Sequence, residues 1–575
     1  MINADIAAAL SEIGTLLELK GENSFRTNSY HAAARVIDQL TVDVAQHVLA
    51  GDLRKIPGVG DSMKEKIESL VRTGSIPQLN ELRDATPSGL LQILRVPGLG
   101  PKKVKALADT GIADLVALKA ACDAGQIAKL KGFGAKTQSN ILNGIAFLEK
   151  AGGRIRIDVA DTLAQPIIAM LRSLKGVKRA EACGSLRRRK ETIGDLDFLA
   201  SAKNAGPVMD AFGAMPGVSQ VINRGDTLTS VLLVIGSGPA ASSVRADLRV
   251  VDDAQFPFGL AYFTGSKEHN IVMRSRAQAR GLKLNEYALT GAKGDVACKT
   301  EDDIYKALGL TYVPPEQRED TGEFAAVEQN KLPKLITVDD IRGVFHNHTT
   351  ASDGANSLEE MAEAAKALGF EYLGVADHSQ SLNVARGLTP ERVREQHKQI
   401  DALNKKLKGF RIFKGTECDI MPDGSLDFSD EVLATFDYVV ASVHTHFQQS
   451  RDEVTARIVR AVRHPNVTML GHATGRLLLQ RDGYPVDLGT VFAAAAESGT
   501  MIEINAQPKR LDVDWVHARR AKEMGISIVI NPDAHATEEL ALFRYGVDVA
   551  RRAWLTASDV VNTRSLRDIE KLLKI

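Results

Sequence analysis

Cysteine is scarce in this chain of 575 residues: there are four, Cys122, Cys183, Cys298 and Cys418, with no CxxC pair among them. That excludes a disulfide framework and points to a reducing compartment. No run approaches the ~20 apolar residues needed to span a bilayer. Met1-Ile2-Asn3-Ala4-Asp5 lacks the basic and apolar regions of a secretory leader. The expectation is a cytoplasmic protein with no membrane partner. An excess of charge of one sign is missing too, 72 Lys and Arg standing against 72 Asp and Glu. Any phosphate-binding surface must therefore be a local basic patch, and its affinity will depend on salt. What is present, 44% hydrophobic and 25% charged residues, suits a globular protein of several domains at about 150 residues each.

Histidine is also scarce over the first half. Ten of the thirteen histidines lie after residue 340, behind the polar, proline-marked stretch Val313–Gly322. That stretch reads as a linker, with a boundary between about residues 318 and 340.

In the middle of the chain Gly184-Ser185 precedes Gly194-Asp195-Leu196-Asp197. In a strand Asp195 and Asp197 point one way while Leu196 and Phe198 point into a core. Two carboxylates held that close repel unless a cation lies between them, and Mg²⁺ is bound in this way beside substrate phosphates. The Gly-Ser turn offers backbone N–H groups and a hydroxyl to those phosphates, and the run Arg187-Arg188-Arg189-Lys190 lies between. Arg245-Ala246-Asp247-Leu248-Arg249 alternates, so Asp247 faces with Arg245 and Arg249. It is either half of a cross-strand ion pair or the third carboxylate of a two-metal phosphoryl-transfer site, able to deprotonate a primer hydroxyl.

The first 150 residues read as wholly helical, and one pattern recurs in them. Ile56-Pro57-Gly58-Val59-Gly60, Val96-Pro97-Gly98-Leu99-Gly100 and Leu130-Lys131-Gly132-Phe133-Gly134 each precede a helix start, the second followed by Lys102 and Lys103. Three ordinary interhelical turns would satisfy the pattern. So would helix-hairpin-helix modules, whose exposed N–H groups grip the DNA backbone without reading sequence.

Together with Tyr262-Phe263-Thr264-Gly265-Ser266, Asn270, Arg274 and Asn285-Glu286-Tyr287, residues 1–318 resemble family X DNA polymerases. The resemblance implies that Asp195, Asp197 and Asp247 bind Mg²⁺ or Mn²⁺, and that Gly184, Ser185, Arg188, Arg154 and Gly194 meet the triphosphate. It implies that Tyr262, Phe263 and Gly265 line the sugar side of the pocket, and that Asn270 and Arg274 face the base and template. It places Lys66 where the family's lyases carry a Schiff-base lysine, with Arg26 and Tyr30 at a 5′-phosphate site. Ser62 stands where another phosphate-binding lysine belongs, which leaves lyase chemistry open.

The second half carries His346-Asn347-His348, Asp353, Asp377-His378, Glu417, His444, His472 and Asp533-Ala534-His535. Most follow short β-branched runs such as Tyr438–Val443 and Ile526–Ile530, and helical stretches alternate with them. Strand–helix alternation with ligands at the strand ends describes a barrel-like α/β domain. Residues 341–575 resemble the polymerase-and-histidinol-phosphatase (PHP) domain. The resemblance implies a trinuclear Mn²⁺ or Zn²⁺ phosphoesterase with His346, His348, Asp353, His378, Glu417, His444, His472, Asp533 and His535 as ligands, Glu417 bridging. His397, His464 and His517 fall outside those motifs and His446 stays undecided. Val344-Phe345 departs from the acidic and aliphatic pair usual there, which alters packing and not ligation.

The reading is a multidomain protein. It comprises a lyase-like helical domain (1–92), fingers-type helices (93–153), an α+β nucleotidyltransferase palm (154–255) and a nucleotide-binding subdomain (256–318). A linker (319–340) and a distorted TIM-like barrel PHP domain (341–575) follow. The expected activity is gap filling on gapped or nicked duplex DNA with dNTP, plus 3′-end removal, and AP-site incision as a further option. The protein would act as a monomer at the bacterial nucleoid. Two alternatives stand beside it: a small-molecule phosphatase in the PHP half, and a DNA-end scaffold.

Overall fold

A computed structural model describes residues 3–38, 44–50, 61–94, 96, 98–236 and 242–575. The chain forms two compact units, one of residues 1–152 with 235–242, the other of 153–234 with 243–575. The first hairpin glycines, Gly58 and Gly60, lie outside the described residues, as do Pro97 and the tip 237–241.

Residues 1–152 contain helices and turns alone among the described residues. One apolar core runs from Ile6 and Leu10 through Ile67 and Val104 to Ile145. The second and third repeats share a conformation: Gly98 and Gly132 take φ of +83° and +86°, Leu99 and Phe133 between the glycines are buried, and a helix starts after the second glycine. The first glycine of each pair is thus required by its left-handed backbone.

The palm is a five-stranded sheet in the order Val177–Ala182, Asp195–Ala202, Ser242–Val251, Leu228–Ile235, Val218–Arg224. The Asp195 and Asp247 strands are adjacent and parallel, and Asp197 is the Cα partner of Asp247. Leu196, Phe198, Ala246 and Leu248 are buried behind them, as alternation predicts. Residues 256–328 add four α-helices, a three-stranded sheet and their own core around Phe258, Tyr305 and Leu308. The stretch expected to be a linker is built into this core: helix Glu323–Glu328 inserts Phe324 and Val327, and Arg318 is fully buried. Polar composition misled there because Arg318, Glu319 and Glu323 are paired in the interior rather than solvated.

The rest is a barrel of seven parallel strands in sequence order, from Gly343–Val344 to Ile528–Asn531. His348 N donates to Ala534 O (2.8 Å) and brings the first and last strand ends together. The strands are buried on both faces, so they read as continuous β-branched runs. Capping boxes at Ser357/Glu360 and Ser450/Glu453 start two of the outer helices. Phe345, the departure from the family pattern, packs on Tyr372, Phe413 and Tyr438 inside the barrel.

Candidate functional site

Two centres form on the second unit. In the palm, a cleft of about 810 Å³ is lined by Arg154, Ser185, Arg188, Asp195, Asp197 and Tyr262, with Gly184, Gly194, Phe263, Gly265, Asn270 and Arg274 completing the predicted set. Gly184 sits at φ +59°, and a Cβ there would lie 2.2 Å from Asp197 Oδ2. The turn therefore touches the carboxylate directly. Burial, with Asp195 and Asp247 nearby, pushes the Asp197 carboxyl up to about 7. Three converging carboxylates, one of them held against ionising by its neighbours, are a set a divalent cation would satisfy.

Asp247 is the one predicted carboxylate that does not line the cleft, and Arg245 Nε donates to its Oδ1 (2.8 Å). Of the two flanking arginines only this one meets it, because Arg249 lies over the Phe263 ring (4.8 Å). Asn270 Nδ2 donates to Tyr262 O (2.7 Å), fixing the helix that carries the aromatic pair. Arg154 is held on Thr192 by its Nε (2.9 Å), beside Gly194.

The basic run does not act as a unit. Arg187 is spent on Glu301 (3.0 and 2.5 Å), and Arg189 on Asp161 (2.8 Å) and Asp548 (2.7 Å). Only Arg188 and Lys190 reach the cleft, with Lys267 from the far wall. Lys267 was not singled out by sequence reasoning, since an isolated lysine carries no pattern, and Lys190 was noted only as the end of the basic run.

In the barrel all nine predicted ligands converge at the C-terminal strand ends. Glu417 is the hub: His346 Nε2 (3.3 Å), His348 Nε2 (3.6 Å) and His378 Nδ1 (3.0 Å) face its Oε2, while His444 Nε2 (3.1 Å) and His472 Nε2 (2.8 Å) face Oε1. Asp533 Oδ1 lies 3.2 Å from His348 Nε2, and Asp353 reaches His378 (3.5 Å) and His535 (3.4 Å). Three overlapping groups with metal-ligand spacing result: His348, Asp353, His378 and His535; His346, His348 and Asp533; His378, Glu417 and His444. Buried His346 Nε2, His348 Nε2 and His378 Nδ1 have no hydrogen bond despite those carboxylates. Such orphaned lone pairs fit cations, and imidazole with carboxylate suits Mn²⁺ or Zn²⁺.

Burial opposes charge on His378 and His535, yet Glu417 and Asp353 push the first up to about 10, and Asp353 and Asp533 push the second to about 9. His348 is lowered to about 4 by burial and by those two imidazoles. Protons thus occupy part of the candidate set and would have to leave for a metal to bind.

Sequence reasoning missed the residues that aim the ligands. Glu503 Oε1 lies 2.7 Å from His346 Nδ1, and its Oε2 accepts from His472 N (2.8 Å). Asp419 contacts His444 Nδ1, and Asn505 Nδ2 donates to Asp533 (3.0 Å). The signal was the alternation in Met501-Ile502-Glu503-Ile504-Asn505, which puts two polar groups on one face of a buried strand. His446 is exposed and joins no cluster, and His397, His464 and His517 are engaged elsewhere.

In the helical unit Arg26 is exposed, 3.4 Å from Glu22. Tyr30 is 3% exposed with its hydroxyl on Gln78 (3.1 Å), so it packs the core rather than presenting an open anion contact. Lys66 Nζ lies 5.8 Å from the centre of that ring. Lys103 Nζ donates to Gly98 O (3.2 Å), and Lys102 is exposed.

These features define a class: a nucleotidyltransferase palm with a metal-ligating phosphoesterase barrel on the same chain. Residues 259–319 match the family described as DNA polymerase beta thumb, and 345–507 match the PHP domain. Residues 1–76 match a helix-hairpin-helix domain and 90–146 a SAM-like helix-hairpin-helix tandem. A Bacillus subtilis protein named DNA polymerase/3′-5′ exonuclease PolX is 38% identical over 577 aligned residues, covering 100% of both chains. A probable phosphatase of Thermoanaerobacter is 30% identical over 38% of this chain and 89% of its own, and rat DNA polymerase lambda 27% identical over 46% and 48%. The chain belongs to the bacterial family X DNA polymerases that carry a C-terminal PHP domain.

Proposed function

We propose that this protein extends DNA 3′ ends at the palm and removes 3′ nucleotides at the barrel, acting on gapped or nicked duplex with dNTP. The observation that carries the first activity is the register Asp197–Asp247, with Asp195 two residues away on the same face. Divalent cations, Mg²⁺ or Mn²⁺ in the palm and Mn²⁺ or Zn²⁺ in the barrel, would neutralise the charge that develops on phosphoryl oxygens. The residues supply the rest. Ser185 and Arg188 hold the triphosphate, Asp247 takes the primer proton, and Tyr262 and Phe263 wall the sugar.

The second and third hairpins are assigned to the DNA backbone. At Gly100 and Gly134 a Cβ would meet nothing within 4 Å, and neither backbone is left-handed. The bare glycine is therefore not needed for packing there, and an approaching phosphodiester chain would need it. Lys66 is assigned a lyase role, to be tested by borohydride trapping on a 5′-deoxyribose phosphate end. The protein is assigned to the bacterial cytoplasm as a monomer.

A one-nucleotide-gapped duplex with dNTP and Mn²⁺ separates the sites. Asp247→Ala abolishes gap filling and keeps 3′ degradation; His346→Ala does the reverse. Loss of both activities in either variant refutes two separable centres.

A further inference from the structure

The segment between the nucleotide turn and the catalytic strand is bolted to the barrel. Asp548 and Arg552, one turn apart on the barrel helix Phe543–Arg552, reach it: Asp548 takes Arg189, and Arg552 Nη1 donates to Arg188 O (2.8 Å). Arg476, four residues after the ligand His472, holds Glu191 (2.9 Å). The contact nearest the cleft converges on one atom. Glu319 Oε1 accepts from Arg188 Nε (3.0 Å) and from Arg552 Nη1 (3.1 Å). Arg188 Nη1 is taken by Thr264 O (2.5 Å), which among the described residues leaves Nη2 as its open corner. The side chains of Arg188, Glu319 and Arg552 are 12%, 15% and 2% exposed. Two arginines against one carboxylate leave a surplus positive charge at the cleft wall, where burial makes it count.

We propose that Glu319 is a positioning residue for polymerisation, whose Oε1, anchored by Arg552 of the barrel, holds the Arg188 guanidinium edge-on to the incoming triphosphate. The barrel half thereby sets dNTP affinity in the palm. This rests on the reading of Arg188 as a triphosphate contact. A flexible arginine would lose rotamer freedom on binding dNTP, whereas this one has lost it beforehand.

The test is steady-state gap filling by the full-length protein with varied dNTP. Glu319→Ala and Arg552→Ala each raise KM for dNTP about fivefold to tenfold, the net worth of one ordinary hydrogen bond. Their kcat stays within about twofold of the parent. Glu319→Gln keeps an oxygen able to accept from both arginines, and its KM stays within about twofold of the parent. The double alanine variant is no worse than either single one. The 3′ degradation rate of Glu319→Ala matches the parent, while its melting temperature falls because two buried guanidiniums lose their shared partner; Glu319→Gln keeps the parent's melting temperature. An unmoved KM in Glu319→Ala overturns the proposal, as does a Glu319→Gln KM as high as that of Glu319→Ala, which would make charge the cause. The Glu319 pair decides the matter even if Arg552→Ala folds poorly. Arg188→Ala separates the premises: an unmoved KM there refutes the triphosphate reading itself. A raised KM there, with Glu319→Ala unmoved, refutes only the role of Glu319.

Discussion

Replacing Gly184 by alanine tests the contact between the nucleotide turn and the catalytic strand. The φ of +59° costs an L-residue about 1–2 kcal/mol. The new methyl would sit 2.2 Å from Asp197 Oδ2, so turn or carboxylate must give way. The Asp197 backbone is pinned: its carbonyl accepts from Cys183 N (2.7 Å), and Leu196 and Phe198 are buried on either side. The carboxylate therefore rotates away by about 1 Å, a displacement that typically costs ~10²-fold in rate. Gap-filling kcat should fall about a hundredfold, while the melting temperature drops by only about 4–8 °C for ~2 kcal/mol lost. Degradation of 3′ ends on the same preparation should persist, since the barrel is untouched. Gly194→Ala is the control: its Cβ would meet only the end of the Arg154 side chain (3.2 Å), so its loss should stay below about tenfold. If Gly184→Ala fills gaps within about threefold of the parent, the close approach has no part in catalysis.

Mg²⁺ binding to the palm should depend on pH through Asp197. Its carboxyl, pushed up to about 7, takes a proton as pH falls through that value. Apparent Mg²⁺ affinity then weakens by up to about tenfold per pH unit below 7 and levels off above 8. Between its unfolded value of about 4 and 7 the native state holds the extra proton, so this site's contribution to metal-free stability declines as pH rises. Mg²⁺ should reverse that decline, and Asp197→Asn should flatten both trends in thermal-shift titrations. Glu503→Gln, which loosens the aim of His346, should weaken Mn²⁺ binding in the barrel by about 10–100-fold with gap filling intact; unchanged calorimetric affinity would contradict it. Gly100→Val with Gly134→Val should weaken binding of gapped duplex measured by anisotropy at two salt concentrations, with little change in melting temperature. An unchanged Kd would remove the hairpins from the interface.

Alternation made the palm carboxylates legible: Asp195 and Asp197 share a face because a strand repeats every two residues, whatever surrounds it. The hairpins were legible from Gly-x-Gly before a helix start, a local backbone requirement. The six barrel histidines stood out because histidine is rare elsewhere and sits at the ends of apolar runs, whereas Asp353, Glu417 and Asp533 joined the candidate set only through the PHP resemblance. The fate of Arg187-Arg188-Arg189-Lys190 was not legible. A single helical turn, Gly184–Arg187, followed by φ +55° at Arg189 sends neighbouring arginines to Glu301, Glu319 and Asp548, residues more than 100 positions away. The 319–340 stretch read as a linker for the same reason, because Glu319 and Glu323 find their partners only after folding.

The chain's local chemistry, then, was written in the sequence: that Asp195 and Asp197 share a strand face, and that a glycine opens each hairpin turn, follows from period and turn geometry, which are properties of a few consecutive residues. Which cations face substrate and which bolt the palm to the barrel, and which acids aim the histidines, only the tertiary structure decided. Those choices depend on partners brought together by packing, and no pattern along the chain encodes a distance across the core.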